Sequence, residues 1–115
     1  MPGDADSWVA YEDAPPGTFA LRVAGDSMEP EFKSGDVVII DPSTEAGDGD
    51  VACVIYEDRK GNRVARLKRY CPQGNDVILA SINPTHPPVE IPLGWMKAHY
   101  AIREHLHRIV EKRNW

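Results

Sequence analysis

From residue 18 onward, short apolar stretches alternate with glycine, proline and aspartate. In T-F-A-L-R-V-A (18–24), Phe19, Leu21 and Val23 share one parity and Thr18, Ala20 and Arg22 the other. That period of two predicts a half-buried strand, ended by Gly25. Lys33-Ser34-Gly35-Asp36 predicts a turn. V-V-I-I (37–40) predicts a short buried strand that Asp41-Pro42 stops, with S-T-E-A-G-D-G-D (43–50) as loop. V-A-C-V-I-Y (51–56) and R-V-A-R-L-K-R-Y (63–70) read as hairpin partners around D-R-K-G-N (58–62). C-P-Q-G-N-D (71–76) predicts a second hairpin loop leading to V-I-L-A (77–80). N-P-T-H-P-P (83–88) predicts a proline-stiffened loop before V-E-I-P (89–92). Six short strand candidates with frequent turns predict a mainly β domain built from antiparallel hairpins. In the tail A-I-R-E-H-L-H-R-I-V-E-K-R (101–113), Ile102, Leu106, Ile109 and Val110 match a helical stripe. Ile102, Leu106 and Val110 also share strand parity; the pattern alone favours a helix.

Residues 1–17 are rich in Asp, Pro, Gly and Ala and predict an extended N-terminal arm or linker remnant, with Trp8 and Tyr11 as anchors. Residues 18–115 then form one domain, since 115 residues suit a single core. The net charge of −5 argues against a nucleic-acid-binding surface, which calls for a basic patch. The basic clusters at 63–69 and in the last dozen residues read as solvated faces. Two cysteines do not make a disulfide framework, and Cys53, inside an apolar run, reads as a small buried hydrophobe. No stretch approaches the ~18 apolar residues of a membrane span, and no signal-peptide pattern opens the chain. A cytoplasmic protein is the expectation.

The stretch with chemical content is A-G-D-S-M-E-P (24–30). Gly25 admits backbone angles closed to other residues, Pro30 stiffens the chain, and the strand before them is a rigid platform. Such a frame presents the Ser27 hydroxyl at a strand end, with backbone N–H groups nearby for an oxyanion. The plainer alternative is a serine that bonds its own turn. A serine hydroxyl needs a base. None of His86, His99, His105 and His107 has an acidic partner by spacing. His105-x-His107 lacks a third well-placed ligand, so no metal site is expected. A lysine serves as base only when burial or a neighbouring cation lowers its pKa from ~10.4. Lys68, on a strand in parity with Val64, Arg66 and Tyr70, fits that demand; Lys33, Lys60, Lys97 and Lys112 lie in turns or polar segments. Taken by itself, Lys68 reads better as one more solvated charge in R-L-K-R.

F-A-L-R-V-A-G-D-S-M-E-P-E-F-K-S-G-D-V-V-I-I-D-P (19–42) resembles the nucleophile segment of the LexA-like Ser-Lys peptidases, which include repressors and polymerase subunits. R-L-K-R-Y followed by L-A-S-I-N-P-T-H-P-P resembles the family's second segment, and the likeness spans roughly residues 18–110. It implies a fold of twisted β-sheets that dimerises, often through the C-terminal strand, against the helical reading of the tail. It implies Ser27 as nucleophile, Lys68 as general base, the N–H groups of Asp26 and Ser27 as oxyanion hole, and Met28 packed beside the scissile segment. No cofactor is implied. Partners implied are a second copy, the chain's own upstream segment, a recombinase filament that promotes self-cleavage, and DNA only through a separate N-terminal helix-turn-helix domain. Ala24-Gly25 and Ala46-Gly47 are poorly placed for cleavage, so this chain is expected to lack its own scissile bond. A catalytically idle dimerisation module of the same fold is the alternative. The membrane-anchored signal peptidases, which share S-M-x-P and a following G-D turn, fit less well because no anchoring segment is present.

Overall fold

The computed structural model describes residues 6–107. They form eight strands: β1 (Ser7–Val9), β2 (Phe19–Arg22), β3 (Val37–Glu45), β4 (Val51–Glu57), β5 (Arg63–Gln73), β6 (Asp76–Ala80), β7 (Val89–Pro92) and β8 (Met96–Leu106). A 3-10 turn, Leu93–Trp95, leads into β8, and there is no α-helix among the described residues. Every pairing is antiparallel, in the spatial order β1-β2-β3-β8-β4-β5-β6-β7. The mainly β expectation holds.

The helical reading of the tail does not. β8 runs between two strands, pairing with β4 from Met96 to Ala101 and with β3 from Tyr100 to Leu106. Those ladders satisfy its backbone, a tertiary demand that overrides a weak local helical pattern. Residues 108–113 of the expected helix lie outside the described residues. Two boundaries also differ from expectation. β3 continues through Asp41-Pro42 to Glu45, taking the first three residues of the expected 43–50 loop. β3 and β8 slip in register between Asp41 and Glu45, and at such an irregularity a residue without an N–H is tolerated. β5 likewise runs on to Gln73, so the second hairpin turns on Gly74 and Asn75 alone. The arm is partly ordered into the sheet: β1 pairs residue for residue with β2.

Strand alternation sorts the apolar residues into separate cores. Val38 and Ile40 join Leu21, Val23, Met28, Phe32, Cys53 and Leu67 in one cluster. Val37 and Ile39 face the other way with Ala20, covered by Val9, Tyr11, Ala14 and Leu106. V-V-I-I is an unbroken apolar run because both of its faces are covered, and each such side chain contributes about 1.5–3 kcal/mol by burial. Tyr11 thus anchors the arm, whereas Trp8 stays 49% exposed, edge-on to Phe19. A third cluster, Ala46, Ala52, Val54, Tyr70, Val77, Leu79 and Ile91, fills the far side of β4, β5 and β6.

β2 and β5 stand four places apart in the sheet, yet Leu21 and Leu67 share a core. The sheet therefore curls until the end of β2 faces β5, and the candidate site lies along that seam.

Candidate active site

The loop from Ala24 to Ser34 is pinched shut at its base. Val23 donates to the Asp36 carbonyl and Gly35 to the Val23 carbonyl, each at 2.8 Å. Gly25 (φ +75°) and Gly35 (φ +96°) adopt left-handed backbone at its two ends, where a Cβ is disfavoured. Within the loop Met28 and Phe32, 2% and 3% exposed, are driven into the core. The Phe32 N–H donates to the Met28 carbonyl at 2.9 Å and the Glu29 N–H to the Asp26 carbonyl at 3.1 Å. Buried anchors after Ser27 and a tight glycine before it leave the serine half-buried at the loop's inner rim. Among the described residues nothing accepts a hydrogen bond from the N–H groups of Asp26 and Ser27.

Ser27 and Lys68 line one cavity of about 250 Å³, together with Ala24, Gly25, Asp26, Arg66 and His86. A second hollow of about 230 Å³ continues past Arg66 and Lys68 toward Tyr56, Leu79 and Val89. Lys68 is half-buried on β5. Burial first, and then the Arg66 guanidinium, push its pKa below the ordinary lysine value of 10.5, while the Asp6 carboxylate pulls it back up. Its ammonium donates to Ser81 Oγ at 2.8 Å. No hydrogen bond joins Lys68 to Ser27 among the described residues. The two residues the sequence singled out thus share a cavity without a hydrogen bond between them. Met28 is a core residue behind the loop.

The loop after β6 closes the cavity. The Asn83 N–H donates to the Ser27 carbonyl at 2.9 Å and its side-chain amide to the Asp26 carbonyl at 3.0 Å. His86 Nε2 and Asp26 Oδ1 lie 2.6 Å apart. Sequence spacing left the histidines without acidic partners; folding supplies Asp26 for His86, Asp36 for His105 at 2.8 Å, and Glu45 for His99 at 4.0 Å. Asp36, His105 and His107 form a group with potential ligand atoms within 4.8 Å of one another, completing in number the pair seen in the sequence. The Asp36 carboxylate, however, is already engaged by the Lys33 N–H and by His105. That is the pattern of a structural turn clamp.

Ser81, Asn83 and Asp6 are the site residues that sequence reasoning missed. Ser81 was within reach: the hairpin register that pairs Arg69 with Ala80 puts the next residue, Ser81, beside Lys68.

A family model described as Peptidase S24-like matches residues 4–101. The LexA repressor of Deinococcus radiodurans is 40% identical over 77 residues, 66% of this chain and 35% of the repressor. The prophage repressor CohE of Escherichia coli is 34% identical over 70 residues, 61% of this chain and 30% of its own. The HTH-type transcriptional regulator for conjugative element SXT of Vibrio cholerae is 34% identical over 94 residues, covering 76% of this chain and 42% of the regulator. The chain therefore spans less than half the length of these relatives. No helix among the described residues is long and apolar enough to cross a membrane.

Proposed function

The chain belongs to the Peptidase S24-like family, and from that premise we propose that it is the C-terminal Ser-Lys self-cleaving peptidase and dimerisation domain of a LexA-like or phage-type transcriptional regulator. The observation that carries this reading is the convergence of Ser27 and Lys68, from a loop and a strand far apart in sequence, on one cavity.

The chemistry is acyl transfer. Neutral Lys68 accepts the Ser27 hydroxyl proton as Oγ bonds to the scissile carbonyl carbon. The N–H groups of Asp26 and Ser27 receive the oxyanion. The C–N bond then breaks, and the leaving amine takes the proton from Lys68. Water hydrolyses the acyl-serine, with Lys68 again taking and returning the proton. The depressed lysine pKa supports the role of base. To reach Ser27, the Lys68 side chain exchanges its hydrogen bond to Ser81 for one to the serine; apo sites often tighten only on engaging substrate.

The partners follow from the same reading: a second copy of the chain, an upstream segment carrying the scissile bond, a recombinase filament as trigger, and DNA through a separate domain. The relatives named as repressors and HTH-type regulators support that setting. Two rivals remain specific. One is an idle dimerisation module of this fold, favoured by the Lys68–Ser81 bond. The other makes His86, oriented by Asp26, the base.

Labelling with a fluorophosphonate, which needs an activated serine, separates the three. The peptidase reading expects an adduct on Ser27 that is lost in Ser27→Ala and Lys68→Ala and kept in His86→Ala. No adduct in the wild type points to the idle module, and loss only in His86→Ala points to the histidine.

A further inference from the structure

The seam is held by a residue from a segment that reads as linker. Asp6 Oδ1 accepts from the Ala24 N–H and Oδ2 from the Leu67 N–H, both at 2.9 Å. Ala24 opens the nucleophile loop, and Leu67 immediately precedes Lys68. The placement has a backbone cause. β6 covers β5 only from Arg69 to Gln73, which leaves the Leu67 N–H on an open strand edge. β2 ends at Arg22, which leaves the Ala24 N–H beyond its ladder. One carboxylate satisfies both donors, and it is the only side chain bonded to both catalytic segments among the described residues.

We propose that Asp6 is a positioning residue for the Ser27–Lys68 pair: its carboxylate clamps the nucleophile loop to the lysine strand and sets the distance between them. This inference rests on the peptidase reading above. The clamp also carries charge. The titratable and charged groups around it are Arg66 and Lys68 on β5, Arg63 at the start of β5, which lines a hollow with it, and Cys53 on β4. Lys68 faces, in addition, Arg66, Asp26 and His86 across the cavity and Tyr56 on its other side. The Asp6 carboxylate favours protonated Lys68, so an ionised clamp restrains the base while it aligns it. Because Asp6 stands just before β1, docking of the arm on β2 and alignment of the pair become one event.

The test compares wild type, Asp6→Asn and Asp6→Glu, each first checked for folding by thermal denaturation. Two quantities are read across pH: the fluorophosphonate labelling rate at Ser27, and the midpoint of Lys68 titration from the NMR signals of its side-chain carbon. Asp6→Asn keeps one acceptor and removes the charge. It is expected to lower the high-pH labelling plateau by about a hundredfold, the cost of an ångström-scale misplacement, and to move the Lys68 midpoint to lower pH. Asp6→Glu keeps the charge and shifts the oxygens; it is expected to lower the plateau while leaving the midpoint near wild type. A purely structural Asp6 leaves the plateau unmoved in folded protein, although loss of its charge still moves the midpoint, so an unchanged plateau in Asp6→Asn overturns the proposal. Should Asp6→Asn not fold, an unchanged plateau in Asp6→Glu overturns it. Absence of labelling in the wild type sinks the peptidase reading instead. The positioning role falls with it, because no activated serine is then present to be aligned.

Discussion

The two ends of this sheet are held in opposite ways. At the seam, polar groups join residues far apart in the chain: Asp6 to Leu67, Asn83 to Asp26 and His86 to Asp26, separated by 61, 57 and 60 residues. At the far end β5, β6 and β7 follow one another as hairpins and close over an apolar cluster of Tyr70, Val77, Leu79 and Ile91. Contact between sequence neighbours carries little closure entropy, and buried hydrocarbon supplies the stability there. Long-range polar contacts are costlier to assemble and contribute about a kilocalorie per mole each, but they aim individual atoms. Apolar clusters on both sides hold the molecule together, and the polar contacts of the seam fix the walls of the Ser27–Lys68 cavity.

The largest expected effect breaks that comparison most directly. Ser27→Ala and Lys68→Ala remove seam groups that no core depends on. Both are expected to abolish labelling while thermal unfolding stays close to wild type. Ile91→Ala at the far end, where the side chain is 3% exposed, is expected to cost about 2–5 kcal/mol in urea unfolding. In protein that remains folded it should leave the labelling rate nearly unchanged. An Ile91 variant that labels slowly while fully folded would erase the distinction between the two regions.

The same contrast explains which parts were legible in the sequence. β2 announces itself because it alternates within its own seven residues, and β4 and β5 because an apolar run and its partner flank a turn; such local signals need no distant strand to be seen. Ser27 and Lys68 were singled out by the local frame of one and the apolar strand of the other, but a turn serine and a solvated charge were the stronger local readings, and the family resemblance raised both. Their shared cavity was not legible, since it depends on how far the sheet curls. Pro42 was misread as a stop because its tolerance comes from a register slip against β8, a strand more than fifty residues later. β8 itself was ambiguous because Ile102 and Leu106 suit both periods, and the ladders to β3 and β4 decided. Asp6 was invisible: an aspartate among glycine and proline looks like linker until the two N–H groups it meets have been brought together.

A smaller effect concerns the two thiols. Cys53 is fully buried against Leu67, and burial pushes its thiol up to about 12, so the thiolate is absent at neutral pH. Cys71, opposite Ile78 toward the far end, is partly exposed. Iodoacetamide is expected to modify Cys71 in the native protein and Cys53 only as the protein unfolds. Mass mapping of the alkylated peptides reads the order, and equal rates at native pH would mean that the core beside the seam opens as readily as the hairpin surface.

The smallest expected effect is a difference in sign. Ser43 and Asn62 hydrogen-bond the carboxylates of Asp41, on β3, and Asp58, in the loop after β4, and lower their pKa values below 3.8. Such groups contribute stability that is present above 3.8 and lost as pH falls through the folded value. Asp6 runs the other way: burial outweighs its hydrogen bonds from Ala24 and Leu67, and its pKa is raised. Its contribution is full below 3.8 and is lost as pH rises through the folded value. Urea midpoints of wild type and Asp6→Asn, taken in parallel from about pH 3 to about pH 7, should therefore differ by an amount that shifts in the variant's favour just above pH 3.8 and then levels off. Surface carboxylates contribute equally to both proteins and cancel. A difference independent of pH would mean that the seam solvates Asp6 as well as water does. The carboxylate would then ionise at its ordinary value of 3.8 and face Lys68 fully charged at neutral pH.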